Sequence, residues 1–220
     1  MNRRRTLFTV ATLTAAATLT LSACGGNDKD KAPDDKISGA ETGAGDSATP
    51  STSASEVAAG DRPEITLPAD LKLTFEGAKT GDAVKDAVLA DNEQRMRAVD
   101  AAITGTDAKG EALAYYNTGK ALEAALDWVG QFEKAGATMT GEARYYDRTV
   151  TLKGKTSAVL TFCADESKGF SKDKKTGKVA KTPVTKDSYV FYNTRLDKNG
   201  EGVWQTSQII STRGASPCQP

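Results

Sequence analysis

Three cysteines, a few aromatic residues and one aspartate–tyrosine couple are the side chains of this 220-residue chain that could do chemistry, and the chain contains no histidine. Ser/His and Cys/His nucleophiles and histidine-bearing metal centres are therefore excluded within a single chain. An aspartate base beside a tyrosine donor can still move a proton next to a carbonyl, and Asp165 and Tyr189 could fill those roles. With Tyr116, Trp128, Phe132, Phe191 and Trp204 they form the candidate pocket. No spacing marks an acid/base pair, so no catalytic residue is assigned, and the domain is expected to bind a ligand or partner without chemistry. No metal and no cofactor is expected. A deep cavity holding a buried carboxylate of raised pKa opposite a tyrosine would favour the alternative, a small isomerase or hydro-lyase using Asp165.

Other spacings mimic known sites without meeting their requirements. Gly154-Lys155-Thr156 has the end of a phosphate loop, but Thr149 stands where the motif needs its first glycine. Asp197-x-Asn199-x-Glu201-Gly202 has the start of a calcium loop, but position twelve is Gln208 in place of a bidentate glutamate. Ser171-x-x-Lys174 and Lys175-Thr176-Gly177 are adjacent in one loop, whereas the serine-enzyme elements they imitate converge from separate parts of a larger fold. From Lys168 to Lys186 seven lysines surround one internal acid, Asp173. Such a run is either a solvated hairpin connection whose charges discourage edge pairing or a contact for anionic polymer or phospholipid headgroups. Only Phe170 interleaves the lysines, so nucleic acid is not an expected partner.

The elements that must position these residues begin outside any fold. Arg3, Arg4 and Arg5 precede an apolar, threonine-diluted run from Leu7 to Leu21 that ends in Ser22-Ala23-Cys24. That is the pattern of a secretory leader over 1–23, and the run is short for a permanent span. Leu21-Ser22-Ala23-Cys24 resembles the lipobox of bacterial lipoproteins, which implies cleavage before Cys24 and a diacylglyceryl group on its thiol. Two acyl chains suffice for stable anchoring, so the protein is expected on the extracellular face of the cell membrane. Of 29 basic and 29 acidic residues, the leader carries three arginines and no acid, which leaves a mature net charge of −3. The tract 24–66 is rich in Gly, Ser, Thr, Ala, Pro and Asp, cannot bury enough apolar surface to order itself, and reads as a disordered tether with a reach of roughly 35 Å.

Residues 67–220 are long enough for a single core. Asp82 can cap a helix with Val84, Val88, Leu89, Met96, Val99 and Ile103 at helical spacing, stopped by Gly105. A second helical stretch runs from near Glu111 to Lys134, and Asn117-Thr118-Gly119 can break it in two. Four β-rich runs follow, at about 142–152, 156–165, 188–196 and 203–211, and Asn199-Gly200 marks a hairpin between the last two. Helices followed by consecutive strands predict an α+β domain, with the helices packed in a curved, antiparallel four-stranded sheet. With Cys24 acylated, Cys163 and Cys218 are an even pair in an exported protein and are expected to form a disulfide. In the chain-entropy model, closing that loop contributes roughly 4 kcal/mol.

From Tyr116 onward the order of features is similar to small secreted or lipid-anchored proteins of Gram-positive bacteria with a nuclear-transport-factor-2-like (SnoaL-like) fold. The matching residues are Tyr116-Asn117-Thr118-Gly119, Gly141-Glu142, Leu160-Thr161-Phe162-Cys163-Ala164-Asp165-Glu166-Ser167, Lys175-Thr176-Gly177-Lys178, Gly202-x-Trp204 and Cys218. The chain departs from that pattern after Ser167, where Lys168-Gly169-Phe170 stands in place of an aromatic. The resemblance implies a cone-shaped half-barrel with a cavity between helix and sheet, and it supports the Cys163–Cys218 bond. Such domains include enzymes and non-catalytic binding modules, so the fold by itself assigns no activity. The expected occupant is a cell-envelope component or a small apolar ligand, and the oligomeric state is open.

Overall fold

The computed structural model describes residues 62–220; the leader 1–23, Cys24 and the tether as far as residue 61 lie outside the described residues. Ordered contacts begin before residue 67. Arg62 reaches the Asp91 carboxylate, and Ile65 packs against the buried residues Ala98, Ala112, Tyr116 and Val203.

The helices form where the caps and spacing place them. α1 (Ala83–Thr104) starts at Asp82, whose carboxylate accepts from the Val84 and Lys85 amides at 2.9 and 3.2 Å, and it ends at Gly105 in the left-handed region. The second stretch is broken in two, α2 (Glu111–Tyr116) and α3 (Gly119–Lys134). Asn117 causes the break. Its backbone is extended, its Nδ2 donates to the Leu113 carbonyl at 2.8 Å, and the next amide, of Thr118, donates to the Thr206 carbonyl at 2.9 Å. Amides and carbonyls that a continuous helix would use internally are thus satisfied by a side chain and a strand.

The domain is α+β with a curved, unclosed sheet, and all four expected strands are present: β2 (Ala137–Leu152), β3 (Ser157–Asp173), β5 (Tyr189–Lys198) and β6 (Trp204–Arg213). Their ladders are antiparallel, as expected. The sheet nevertheless has six strands, not four, in the order β1-β2-β3-β5-β6, with β4 paired to β3. β1 (Leu71–Phe75) runs parallel to β2, and β4 (Val179–Ala180) is a two-residue return of the lysine-bearing arm. A five-residue run whose partner lies some seventy residues away carries no turn signal by which to be recognised. The Lys168–Lys186 region is a hairpin limb in which Lys168 and Lys172 pair with Glu142 and Asp70, and Asp173 caps the turn. Asn199 closes the β5–β6 turn by accepting from the Glu201 and Val203 amides.

The main core lies between α1 and the inner face of the sheet. Val88 and Leu89 belong to one buried cluster with Leu160, Phe162, Val190, Leu196 and Trp204. The period of two along β3 is intact, with Ala158, Leu160 and Phe162 buried on the helix side. Cys163 and Cys218 are bonded, which holds the terminal 3₁₀ turn Ser216–Cys218 to the opposite face of β3, where the Tyr146 hydroxyl donates to the Cys218 carbonyl. Among the described residues no helix is long and apolar enough to cross a membrane.

Gly141 is where β2 receives β1. It has φ +99°, and its amide donates to the Asp70 carbonyl at 2.7 Å. A Cβ there would lie 2.1 Å from the Lys168 carbonyl oxygen. Gly141→Ala is therefore expected to lower stability by about 1–3 kcal/mol or more, read as a fall in the denaturant midpoint at constant slope. An unchanged midpoint would show that the bend does not need glycine.

Candidate functional site

The buried face of α1 is not uniformly apolar. Asp91, Asn92, Arg95 and Asp100 are all at most 5% exposed, interleaved with Val88, Leu89, Met96, Val99 and Ile103. Helical periodicity places Arg95 seven residues after Val88 and four before Val99, and Asp100 four after Met96, on the stripe that faces the sheet. Asp91 is satisfied: one oxygen meets Arg62 and the other accepts from the Trp204 amide at 2.8 Å. Arg95 is held by Asn117, whose Oδ1 accepts from Nε at 2.8 Å, while Nη1 lies 3.2 Å from the Met96 sulfur. Asp100 has neither an ion pair nor a hydrogen bond to its carboxyl from any described residue.

Arg95 and Asp100 open onto a cavity of about 790 Å³ between α1, α3 and the sheet, within the range of small-molecule sites. Its apolar walls include Leu71, Met96, Val99, Met139 and Phe170, and α3 contributes Trp128 and Phe132, packed edge to face with ring centroids 5.2 Å apart. Tyr145 of β2 and Tyr192 of β5 face it from the sheet. Both phenol rings are fixed by an aromatic ladder: Tyr145 stacks on Phe75 at 4.8 Å and Tyr192 on Phe162 at 4.8 Å, with Tyr145 and Phe162 edge to face between them. At the rim Arg213 bonds the Glu166 carboxylate at 2.8 Å and donates to the Asp187 carbonyl at 3.0 Å, tying β6 to β3 and to the 3₁₀ turn Lys186–Ser188.

Burial sets the electrostatics. Desolvation, reinforced by the Glu166 charge and opposed by Arg95 and Arg97, pushes the Asp100 carboxyl up to about 7. Burial pushes the Tyr145 and Tyr192 phenols up, with negative charge on Asp100 and Glu166 adding to it, so both remain neutral donors. Burial lowers the Arg95 pKa, but a guanidinium keeps its proton across the working range. Among the described residues, the cavity thus holds one cation without a carboxylate in ion-pair range, one carboxyl poised near neutrality and two phenols.

Of the residues expected in the pocket, Trp128 and Phe132 line the cavity. Tyr116 and Trp204 are buried in the packed interior, each 1% exposed. Asp165, Tyr189 and Phe191 lie on the opposite face of the sheet, because Ala164 and Val190 face inward and the side chains alternate. Asp165 and Tyr189 are indeed cross-strand partners, but outside the cavity. There, burial raises the Asp165 pKa, but hydrogen bonding to Ser167 and the charge of Arg144 outweigh it and hold the carboxyl below the ordinary range. The residues that line the cavity from these two strands are instead Glu166, Gly169, Phe170 and Ser171 of β3 and Tyr192 of β5. Among the described residues no group of three or more Cys, Asp or Glu is gathered as a metal ion would require.

No family model matches the chain, and no curated protein matches it. Among solved structures it is similar to a ketosteroid isomerase-like protein from Erwinia carotovora atroseptica, at 17% identity and TM-score 0.40 over 61% of this chain and 98% of that one. It is similar to Aln2 from a Streptomyces species at 15% identity and TM-score 0.41, over 61% and 94% of the two chains. The intermembrane-space region of the chloroplast protein ARC6 matches at 12% identity and TM-score 0.41, over 61% and 99%. Likenesses at these values transfer neither activity nor ligand, and the cavity is read from its own residues.

The raised Asp100 pKa has a defined sign in stability. The native state retains a proton that the unfolded state loses near 3.8, so this contribution to stability is fully present below pH 4, falls as pH rises towards about 7, and is flat above. Between pH 5 and 8 the wild type should lose about 2–3 kcal/mol more than Asp100→Asn, measured by urea unfolding at each pH. Parallel pH profiles for the two proteins would place the Asp100 pKa at its ordinary value.

Proposed function

We propose that this protein is a lipid-anchored, extracytoplasmic binding protein of the Gram-positive type, with acylated Cys24 in the membrane, a flexible tether, and a nuclear-transport-factor-2-like domain that takes a small molecule into its cavity. The carrying observation is that the cavity is open and holds Arg95 and Asp100, both at least nine-tenths buried, without an ion-pair partner among the described residues. Buried charged and polar groups left without partners cost several kcal/mol. Cavity groups of this kind are compensated when a ligand supplies the missing contacts. The Cys163–Cys218 bond supports an oxidising compartment, and the lipobox-like Leu21-Ser22-Ala23-Cys24 supports the anchor. Cys24→Ala should move the protein from the detergent phase to the aqueous phase in a partition assay; an unchanged distribution removes the anchor from the reading.

Acid–base chemistry on the bound molecule is a second reading, favoured by one observation: Asp100, with a pKa of about 7, shares the cavity with the neutral phenols of Tyr145 and Tyr192. A carboxylate of that pKa can take a proton from carbon next to a carbonyl while a phenol donates to the carbonyl oxygen. Here Asp100, not Asp165, is the base. Small cyclic ketones incubated with the protein in D₂O should gain deuterium at the α-carbon, and Asp100→Asn should abolish the gain. Exchange that survives in the variant removes Asp100 as the base, and none in the wild type leaves binding as the whole activity.

A further inference from the structure

Resting on the binding reading, the geometry points to a monocarboxylate as the ligand class, its anionic end received by Arg95 and its apolar body lying against Trp128, Phe132 and Met139. Arg95 has five N–H donors in a fixed fork. Asn117 accepts from Nε and the Met96 sulfur from Nη1, so Nη2 is the guanidinium nitrogen for which no acceptor stands among the described residues. Each Nη carries two hydrogens, so Nη2 together with the second hydrogen of Nη1 can meet the two oxygens of a carboxylate. The side chain is 4% exposed and lines the cavity, so it is neither a surface cation nor one consumed by an ion pair. Asn117 is itself fixed through the Leu113 carbonyl, so the guanidinium is oriented before any ligand arrives.

Charge limits the anion to one unit. Among the described residues the only other cation lining the cavity is Arg213, and Glu166 neutralises it at 2.8 Å. Glu142, Asp187 and Asp100 contribute further acidic groups to the wall. A dianion such as a phosphate monoester would meet one free guanidinium and several carboxylates, whereas a carboxylate matches that guanidinium and can also accept from Asp100 in its protonated form. The other end of the ligand meets carbon: Trp128 is 40% exposed beside the cavity, and Phe132 stands edge-on to it.

The test uses the mature chain and three probes that share one ring system: 1-naphthylacetate, 1-naphthylacetamide and 1-naphthyl phosphate. Binding is followed by calorimetry and by quenching of tryptophan fluorescence, to which Trp128 is accessible while Trp204 is 1% exposed. The acetate should bind at least about tenfold more tightly than the amide, the worth of a charge-assisted pair, and more tightly than the phosphate. In Arg95→Met the acetate should fall to the level of the amide, with the amide unchanged. Equal affinities in the wild type, a preference for the phosphate, or an acetate preference that survives in Arg95→Met each overturn the assignment to Arg95 while leaving the cavity as a binding site. If none of the three binds the wild type, the binding reading falls with it. Arg95→Met that fails to fold leaves the comparison in the wild type decisive, because the acetate-to-amide ratio is read there first.

Discussion

The domain is organised by one helix that carries charge on the face it buries. Placing Asp91, Arg95 and Asp100 between Val88 and Ile103 commits α1 to supplying partners or space for each, since an uncompensated polar group in the interior costs more than most single contacts return. Two of the three obligations shape the fold. Asp91 draws in Arg62 and the amide that begins β6, so the chain before β1 and the last strand close over the same end of the helix. Arg95 draws in Asn117, and an asparagine turned to that task cannot continue a helix, so α2 ends there. The third, Asp100, receives no partner among the described residues, and there the interior opens into a cavity.

The sheet answers the helix with fixed aromatic rings. Phe75, Tyr145, Phe162 and Tyr192 come from four strands and stack in sequence, so the two phenols are held by neighbours that do not themselves reach for a ligand. Curvature comes from β2, where register shifts fall between Glu142 and Arg144 and between Tyr146 and Thr149, and where Asp147 adopts φ +50°. Such irregularities bend a strand, and the cavity is lined by this strand together with α1 and α3.

Much of this was legible in the sequence because it depends on local chemistry. Asp82 and Gly105 mark the ends of α1, Asn117-Thr118-Gly119 marks the helix break, Asn199 marks the turn, and cysteine arithmetic marks the disulfide. β1 was not legible, since a parallel partner far along the chain leaves no pattern in a five-residue run. Trp128 and Phe132 line the cavity, but Asp165, Tyr189 and Phe191 fall on the far face because strand side chains alternate: Asp165 and Glu166 on β3, like Tyr189 and Tyr192 on β5, stand an odd number of residues apart, and only burial decides which set faces the helix. A signal for the charged groups of the cavity was present in α1, as Arg95 and Asp100 falling in phase with Val88, Met96, Val99 and Ile103. Read as a pattern of apolar residues alone, the helix hides them; read for charges in phase with that pattern, it shows both.

The tie between Arg62 and Asp91 also decides where mechanical load enters the molecule. A pull on the chain preceding residue 62 is taken up at Asp91 and, through its other oxygen, by the backbone at the start of β6. Nine residues of helix, roughly 13 Å at 1.5 Å each, separate that point from Asp100. Arg95, the nearer cavity residue, is only four positions along the same helix from Asp91, about 6 Å, so the first described residues and the cavity wall are fixed to one rigid element.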